Sequence, residues 1–300
     1  MRALLLLCLA GCSSPSLQEQ TAFTETVPAR RHVSNQLSVA SNTVIPVGSK
    51  SISSGDITSM VESQVSVLGF NPNAIYLFLS GNDITVDGDC NQCGWHDALR
   101  LPDGRASQYA WVRNPEVCSS QCSPFNPGDK TPNHNWEADS MIATLLHELA
   151  ESATDPDPMT GFFGWASSDK DGSELADLCS WSFGQTYKTN GYEFNVAIGG
   201  KLYLTQQIWK RGYGCSLGVS DFVSTSTPSD LNEGAEANPP RIHYYGGRVM
   251  TKPIEVVALW YGAWHNRVST ENIINNVIDN LGASGWWGVV SDYYEEGSSR

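Results

Sequence analysis

The sequence has no cluster of basic residues. Its 300 residues contain 18 Lys and Arg against 32 Asp and Glu, for a formal net charge of −14. Nucleic-acid backbones and anionic membrane surfaces are bound through clustered Lys and Arg side chains. We therefore expect no nucleic-acid partner. The sequence also contains no nucleophile elbow, phosphate-binding loop or dinucleotide fingerprint, which argues against the enzyme classes that depend on those motifs.

The sequence also lacks an apolar run long enough to cross a bilayer. Its first ten residues (MRALLLLCLA) are too short for that but suit a signal peptide, which we assign to residues 1–11. Residues 9–12 (LAGC) resemble a bacterial lipobox, in which Cys12 would be acylated, and residues 12–32 would form a polar tether. The alternative is ordinary cleavage near Gly11. We expect membrane contact only through a lipid on Cys12.

Cysteine is well represented beyond this leader. The remaining six residues are Cys90, Cys93, Cys118, Cys122, Cys179 and Cys215. An even number in an exported chain predicts disulfides, and our pairing is 90–93, 118–122 and 179–215. The spacings Cys90-x2-Cys93 and Cys118-x3-Cys122 also suit a four-thiolate zinc site, which is the alternative interpretation.

Hydrophobic periodicity predicts one main domain of the α/β or α+β class with a mixed sheet. The predicted helices are Ser53–Leu68, 139–154 and Thr270–Leu281, and the predicted strands are Asn73–Leu79, Tyr109–Arg113, Tyr192–Ile198, Lys201–Leu204 and Ile254–Tyr261. We assign residues 33–218 to this domain and 219–240, rich in Ser, Thr, Pro and acidic residues, to a linker. Residues 241–300 contain only one predicted strand and one predicted helix, which cannot form a hydrophobic core alone. We therefore expect this segment to dock on the main domain.

The motif His147-Glu148-Leu149-Ala150-Glu151 lies within the second of these helices. At about 100° per residue, His147 and Glu151 lie about 40° apart on one face, and Glu148 is close to them. Mononuclear zinc hydrolases use two ligands one turn apart with a Glu beside the first as general base. We therefore predict that His147 and Glu151 bind zinc and that Glu148 is the catalytic base. The alternative is an ordinary polar helix face.

A third metal ligand is expected downstream, from Asp155, Glu174 or Asp177. Asp155 continues the same helix face, whereas Glu174 and Asp177 form a carboxylate pair on a separate segment (SELADLC). We favour this pair, because a ligand from a separate segment closes the coordination sphere better than three ligands from one helix. Calcium held by carboxylates is the alternative to zinc.

The other histidines are weaker candidates for the site. His96 follows Cys93 closely, so we expect it to be fixed near a disulfide. His265 lies in an aromatic-rich stretch that indicates packing. The ten Trp residues could form a carbohydrate platform, although most of them suit a core equally well.

Several longer motifs resemble the phosphate-induced protein, or EXORDIUM-like, family of secreted proteins. They are SGNDITVDGDCNQCGWH, YAWVRNPEVCSSQC, HELAESATDP, ELADLC and IHYYGGRVMTKPIEVVALWYGAW. In that family the part similar to His243–Tyr294 comes first, and the part similar to Val33–Gly218 follows. The reversed order predicts a circular permutation, with a truncated tandem copy or a faulty gene sequence as alternatives. The resemblance implies an extracellular location.

Family members that keep His-Glu-x-x-Glu followed by Thr-Asp-Pro are similar to metallopeptidases. The resemblance therefore implies a zincin-like domain that hydrolyses an extracellular peptide. Many plant relatives lack the His-Glu pair, so metal chemistry cannot be needed by every member. The alternative functions are a non-catalytic extracellular binding or signalling module, with a structural metal or none, and a binder of a cell-wall component.

Overall fold

The computed structural model describes residues 29–88, 90–158, 163–167, 173–218 and 242–296. The strands, in chain order, are β1 Arg30–His32, β2 Leu37–Ile45, β3 Ser51–Ile52, β4 Ala74–Ser80, β5 Thr85–Val86, β6 Gly94–Arg100, β7 Ala106–Arg113, β8 Trp165–Ser167, β9 Tyr187–Thr189, β10 Tyr192–Phe194, β11 Val196–Ile198, β12 Lys201–Tyr203, β13 Ile208–Lys210, β14 Gly214–Ser216, β15 Ile242–Tyr244, β16 Ile254–Tyr261 and β17 Tyr294–Glu296. The helices are α1 Ser54–Leu68, α2 Ser119–Cys122, α3 Trp136–Thr154, α4 Arg267–Leu281 and α5 Gly285–Ser291, with 3₁₀ turns at Pro115–Cys118 and Asp177–Cys179. The predicted signal peptide, Cys12 and linker lie outside the described residues.

A five-stranded mixed sheet forms the centre of the fold, as predicted. Its strand order is β2-β16-β4-β7-β6. The first four strands are parallel, and the edge strand β6 runs antiparallel to β7. All seven residues of β4 (AIYLFLS) are buried, as expected for a parallel strand covered on both faces. None of the described helices has the length and apolar content needed to cross a membrane.

Each face of the sheet packs against helices. Along β4, Tyr76 and Phe78 point to the face covered by α1, whereas Ile75, Leu77 and Leu79 belong to the larger core with α3, α4 and α5. This alternation follows from the two-residue repeat of a strand. Helix α3 therefore lies buried between the sheet and the C-terminal helices.

The C-terminal segment is part of the central sheet. Strand β16 lies between β2 and β4, and α4 packs against β2 and α3. Helix α4 begins earlier than predicted because the side chain of Asn266 accepts a hydrogen bond from the backbone N–H of Ser269. Strand β1, formed by the last three residues of the predicted tether, pairs with β17, so both ends of the described chain lie side by side.

Helix α3 also begins earlier than predicted and ends where the sequence indicated. Asn135 caps its first turn by accepting a hydrogen bond from the N–H of Ala138. The helix ends at Thr154, immediately before Asp155 and Pro156. The predicted polar face is largely buried: Glu148 and Glu151 are 5% and 3% exposed.

Two of the three predicted disulfide pairings are wrong. The structure joins Cys90 to Cys118 and Cys93 to Cys122, whereas the predicted bond between Cys179 and Cys215 is present. Because β6 and β7 are antiparallel, the segment before β6 meets the segment after β7, and each cysteine finds its partner across the two strands. These bonds occupy the four sulfur atoms that a four-thiolate zinc site would need.

Candidate metal centre

Helix α3 and the 3₁₀ turn at Asp177–Cys179 bring three potential metal ligands together. His147 Nε2 lies 3.0 Å from Glu151 Oε2, one helical turn away, and 3.3 Å from Asp177 Oδ1. One nitrogen and two oxygen atoms from these residues lie within 4.8 Å of one another. The structure thus unites the two helix residues predicted as ligands with one member of the downstream carboxylate pair.

The other predicted carboxylates gather around His96, on strand β6. Its Nδ1 lies 3.5 Å from Glu148 Oε2 and 3.8 Å from Glu151 Oε2. Its Nε2 lies 3.6 Å from Glu174 Oε1 and 3.2 Å from the carbonyl oxygen of Asp155. His96, Glu148 and Glu151 form a second group of potential ligands, which shares Glu151 with the first.

We refer to these residues together as the carboxylate–imidazole cluster. Its members are His96, His147, Glu148, Glu151, Asp155, Glu174 and Asp177. Sequence reasoning ranked His96 only as a weaker candidate, because its proximity to α3 depends on the pairing of β6 at the edge of the sheet. The glycine at position 94 is the one local signal in the sequence. In the structure, a Cβ atom added at Gly94 would lie 2.8 Å from Glu148 Oε1 and 2.8 Å from the carbonyl oxygen of Trp111. Glycine at this position allows β6 to approach the helix.

Backbone and amide groups hold the ligands in place. Glu151 Oε1 accepts hydrogen bonds of 3.1 Å from the N–H groups of Ala176 and Asp177, which leaves Oε2 facing the imidazoles. The side-chain nitrogen of Gln206 lies 3.0 Å from His147 Nδ1 and donates to the carbonyl of Ala176 at 3.0 Å. These contacts orient the site as supporting residues do in metal proteins.

The cluster is buried and strongly acidic. Asp155 and Glu174 are 0% and 7% exposed, and the helix residues Glu148 and Glu151 are buried to a similar extent. The Asp177 side chain, in contrast, is 48% exposed. No Lys or Arg among the described residues forms an ion pair with any of its carboxylates. Asp155 Oδ2 and Glu174 Oε2 are buried without a hydrogen-bond partner within that part of the chain. Asp177 marks the side open to solvent.

This environment shifts the pKa values of the cluster. Burial, reinforced by the charge of Glu151, raises the pKa of Glu174 well above its usual value, and burial raises the pKa of Asp155 to about 6. Burial also raises the pKa of Glu148. Burial alone would lower the pKa of His147, but the Glu151 and Asp177 carboxylates raise this pKa well above its usual value. The site therefore favours additional positive charge.

The residues present fit a divalent cation. Imidazole nitrogen and carboxylate oxygen are the donor atoms that zinc accepts in hydrolases. Buried carboxylate oxygens without a partner are costly in a protein interior, and a bound cation would relieve that cost. The cluster thus has the donors, the charge and the unsatisfied atoms that a metal site requires.

Comparison with known proteins places these residues in a family. The family model for the phosphate-induced protein 1 conserved region matches residues 14–211. The chain belongs to this family. Its relatives include EXORDIUM-like 3 of Arabidopsis thaliana, 31% identical over 51% of this chain and 52% of that protein. PHOSPHATE-INDUCED 1 of Nicotiana tabacum is 32% identical over 31% of this chain and 34% of that protein.

The chain spans about half the length of the EXORDIUM-like 3 protein it matches. The family match includes every member of the carboxylate–imidazole cluster and ends before residues 241–300. The circular permutation therefore stays a prediction, although the adjacency of β1 and β17 is the geometry that a permuted chain needs. No solved structure matches the chain.

We expect Gly94→Ala to destabilise this family member by about 1–3 kcal/mol, because the added methyl group would overlap Glu148, Thr144 and the backbone of Trp111. Gly48→Ala is the matched control, since its Cβ would meet nothing within 4 Å. Denaturant unfolding with the disulfides intact measures both variants. Equal stability of the two would contradict the close approach of β6 to α3.

Proposed function

We propose that this protein is an extracellular zinc-dependent hydrolase of the peptidase type, with a zincin-like site on α3. The supporting observation is that His147, Glu151 and Asp177 converge beside the buried Glu148, with Glu151 buried and Asp177 partly exposed. Acidic groups whose pKa values are shifted by burial and by neighbouring charges are typical of functional sites. The partial exposure of Asp177 provides the side from which a substrate would enter.

His147, Glu151 and Asp177 would hold the metal, through Nε2, Oε2 and Oδ1. Metal binding at Nε2 of His147 requires Nδ1 to carry the ring hydrogen. The Gln206 nitrogen lies 3.0 Å from Nδ1 and donates to the Ala176 carbonyl, so the amide would have to turn over and give up that bond for its oxygen to accept the ring hydrogen. Gln206 would fix the ring orientation in this way.

Glu148 would act as the general base. A zinc ion in the site would supply Lewis-acid chemistry, polarising a carbonyl and lowering the pKa of water. Burial raises the pKa of Glu148, which brings its proton affinity closer to the working pH of a base. His96, 3.5 Å from Glu148 Oε2, would position this carboxylate, while Glu174 and Asp155 hold the His96 ring from its other side.

A non-catalytic binding module with calcium is the second candidate. Carboxylates outnumber imidazoles in the cluster, and Asp155 Oδ2 and Glu174 Oε2 have no partner among the described residues. Calcium prefers six to eight oxygen ligands, which carboxylates and carbonyl groups supply. Zinc needs His147 in this site, whereas calcium does not.

The proposed location is extracellular. Disulfides persist in oxidising compartments, and all six cysteines outside the leader are paired. The proposed partner is an extracellular peptide or a cell-wall component. A lipid on Cys12 would be the only membrane contact.

Glu148→Gln is expected to reduce hydrolysis of a fluorescent protein substrate by about 10²–10⁴-fold while zinc content stays at the parent level, because a general base contributes that much. Glu62→Gln, on the exposed face of α1, is the control and should retain full activity. Activity of the Glu148 variant equal to that of the control would contradict the base assignment.

His147→Ala is expected to abolish zinc binding, since it removes the nitrogen ligand of the site. Zinc and calcium contents are measured by plasma mass spectrometry after dialysis against each ion. His243→Ala removes an exposed histidine on β15 and should leave metal content unchanged. Zinc retained by the His147 variant would exclude the proposed zinc site, and calcium retained without zinc would favour the binding module.

A further inference from the structure

A second group of polar residues lies at the carboxyl ends of the parallel strands, away from the cluster. Asn82 follows β4, Glu116 follows β7 and His265 follows β16. In open parallel sheets, ligands bind in the crevice outside these ends of the strands. Nearby Trp136 begins α3, and at 1.5 Å per residue it lies roughly 16 Å along the helix from His147. This location is therefore distinct from the metal centre.

The three side chains form one hydrogen-bonded group. Glu116 Oε2 lies 2.8 Å from His265 Nε2 and accepts a hydrogen bond of 3.0 Å from Asn82 Nδ2. Asn82 Nδ2 and His265 Nε2 are 3.0 Å apart. The His265 side chain is 66% exposed, so the expectation that it packs in an aromatic core is wrong. His265 Nδ1 and Glu116 Oε1 form no hydrogen bond among the described residues, and the Glu116 side chain is 33% exposed.

Two glycines bring the loops that carry Asn82 and His265 into contact. Gly81 donates its N–H to the carbonyl of Tyr261 at 2.6 Å, and Asn82 donates to the carbonyl of Ala263 at 3.0 Å. A Cβ at Gly81 would lie 2.3 Å from the Ala263 carbonyl oxygen, and Gly262 has φ +102°. Only glycine allows the backbone at position 81 to come this close to Ala263, and only glycine readily adopts the positive φ at position 262. The loops are therefore held in one arrangement.

An open pocket of about 380 Å³ adjoins this group. Its lining residues are Glu116, Ser119, Pro127, Gly128 and Trp136. Trp136 Nε1 donates to the carbonyl of Asn126 at 2.9 Å, which fixes the indole ring. A fixed aromatic ring therefore lines the same pocket as the Glu116 carboxylate and Ser119, and the His265 imidazole contacts that carboxylate from outside the lining. The volume is within the range of small-molecule sites.

The charges of this pocket favour a neutral ligand. Glu116 pairs with His265 and raises the pKa of that imidazole, so the two charges offset each other. The protein's net charge of −14 and the carboxylate in the pocket disfavour anions. A pyranose ring is neutral, with C–H groups on its faces and hydroxyls on its rim. The C–H face suits an aromatic ring, and the hydroxyls suit side chains that both donate and accept.

We propose that this pocket binds a neutral oligosaccharide, with one pyranose ring against Trp136 and its hydroxyls hydrogen-bonded to Glu116 and His265. The binding needs no metal. It is independent of the proposed hydrolase activity, because no member of the carboxylate–imidazole cluster lines the pocket.

Titration calorimetry with the hexaoses of the cellulose, xylan, chitin and starch series tests this proposal. The full mature chain should bind at least one of them with equal affinity before and after EDTA treatment. Glu116→Ala should weaken that binding by about tenfold or more, the usual effect of losing hydrogen bonds to a charged group. Glu62→Ala is the matched control and should bind like the parent.

Glu116→Gln and Trp136→Phe provide milder changes if the alanine variant does not fold, and both should also bind more weakly. Thermal unfolding checks that each variant is folded. Absence of binding to all four hexaoses, loss of binding with EDTA, or unchanged affinity in folded Glu116 and Trp136 variants would overturn the proposal.

Discussion

The buried negative charge beneath strand β6 is the constraint on which the rest of this structure depends. Helix α3 directs Glu148 and Glu151 into the protein, where Asp155 and Glu174 join them. Charged groups in a low-dielectric interior must be neutralised by protons or by cations. Within the described residues, only the imidazoles of His96 and His147 pair with these carboxylates, and they offset only part of the negative charge. A divalent cation would satisfy this requirement, and its binding would explain why imidazoles and carboxylates converge.

The fold supports this cluster from three separate segments. The Cys93–Cys122 bond lies next to the strand that carries His96, and the Cys179–Cys215 bond lies next to the turn that carries Asp177. The α3 helix between them is buried against the sheet and the C-terminal helices. The disulfides therefore restrain the two segments that face the helix, which limits the movement of the ligands they carry.

Local patterns in the sequence predicted α3, β16 and the proximity of His147 to Glu151, because helical spacing and apolar runs determine these features. Asp177 was one of three carboxylates among which the sequence did not decide. The role of His96 and the disulfide pairing could not be predicted in this way. Both depend on the antiparallel pairing of β6 with β7, which places residues together that no short spacing relates. The early starts of α3 and α4 depend on asparagine caps that the apolar pattern does not contain.

The same reasoning explains why His265 was assigned wrongly. Its aromatic neighbours in the sequence indicated packing, but Trp264 and His265 follow the end of β16, where the chain leaves the sheet. At that point a side chain is exposed because the strand has ended, whichever residues are next to it in the sequence. Residues at the carboxyl ends of parallel strands are therefore better judged from the strand order than from their neighbours.

Elemental analysis of the purified mature protein, before and after chelation, tests the central claim most directly. Plasma mass spectrometry should find near-stoichiometric zinc that chelation removes and added zinc restores. A protein that contains no divalent metal, and takes up neither zinc nor calcium when they are supplied, would contradict the claim that the carboxylate–imidazole cluster is a metal centre.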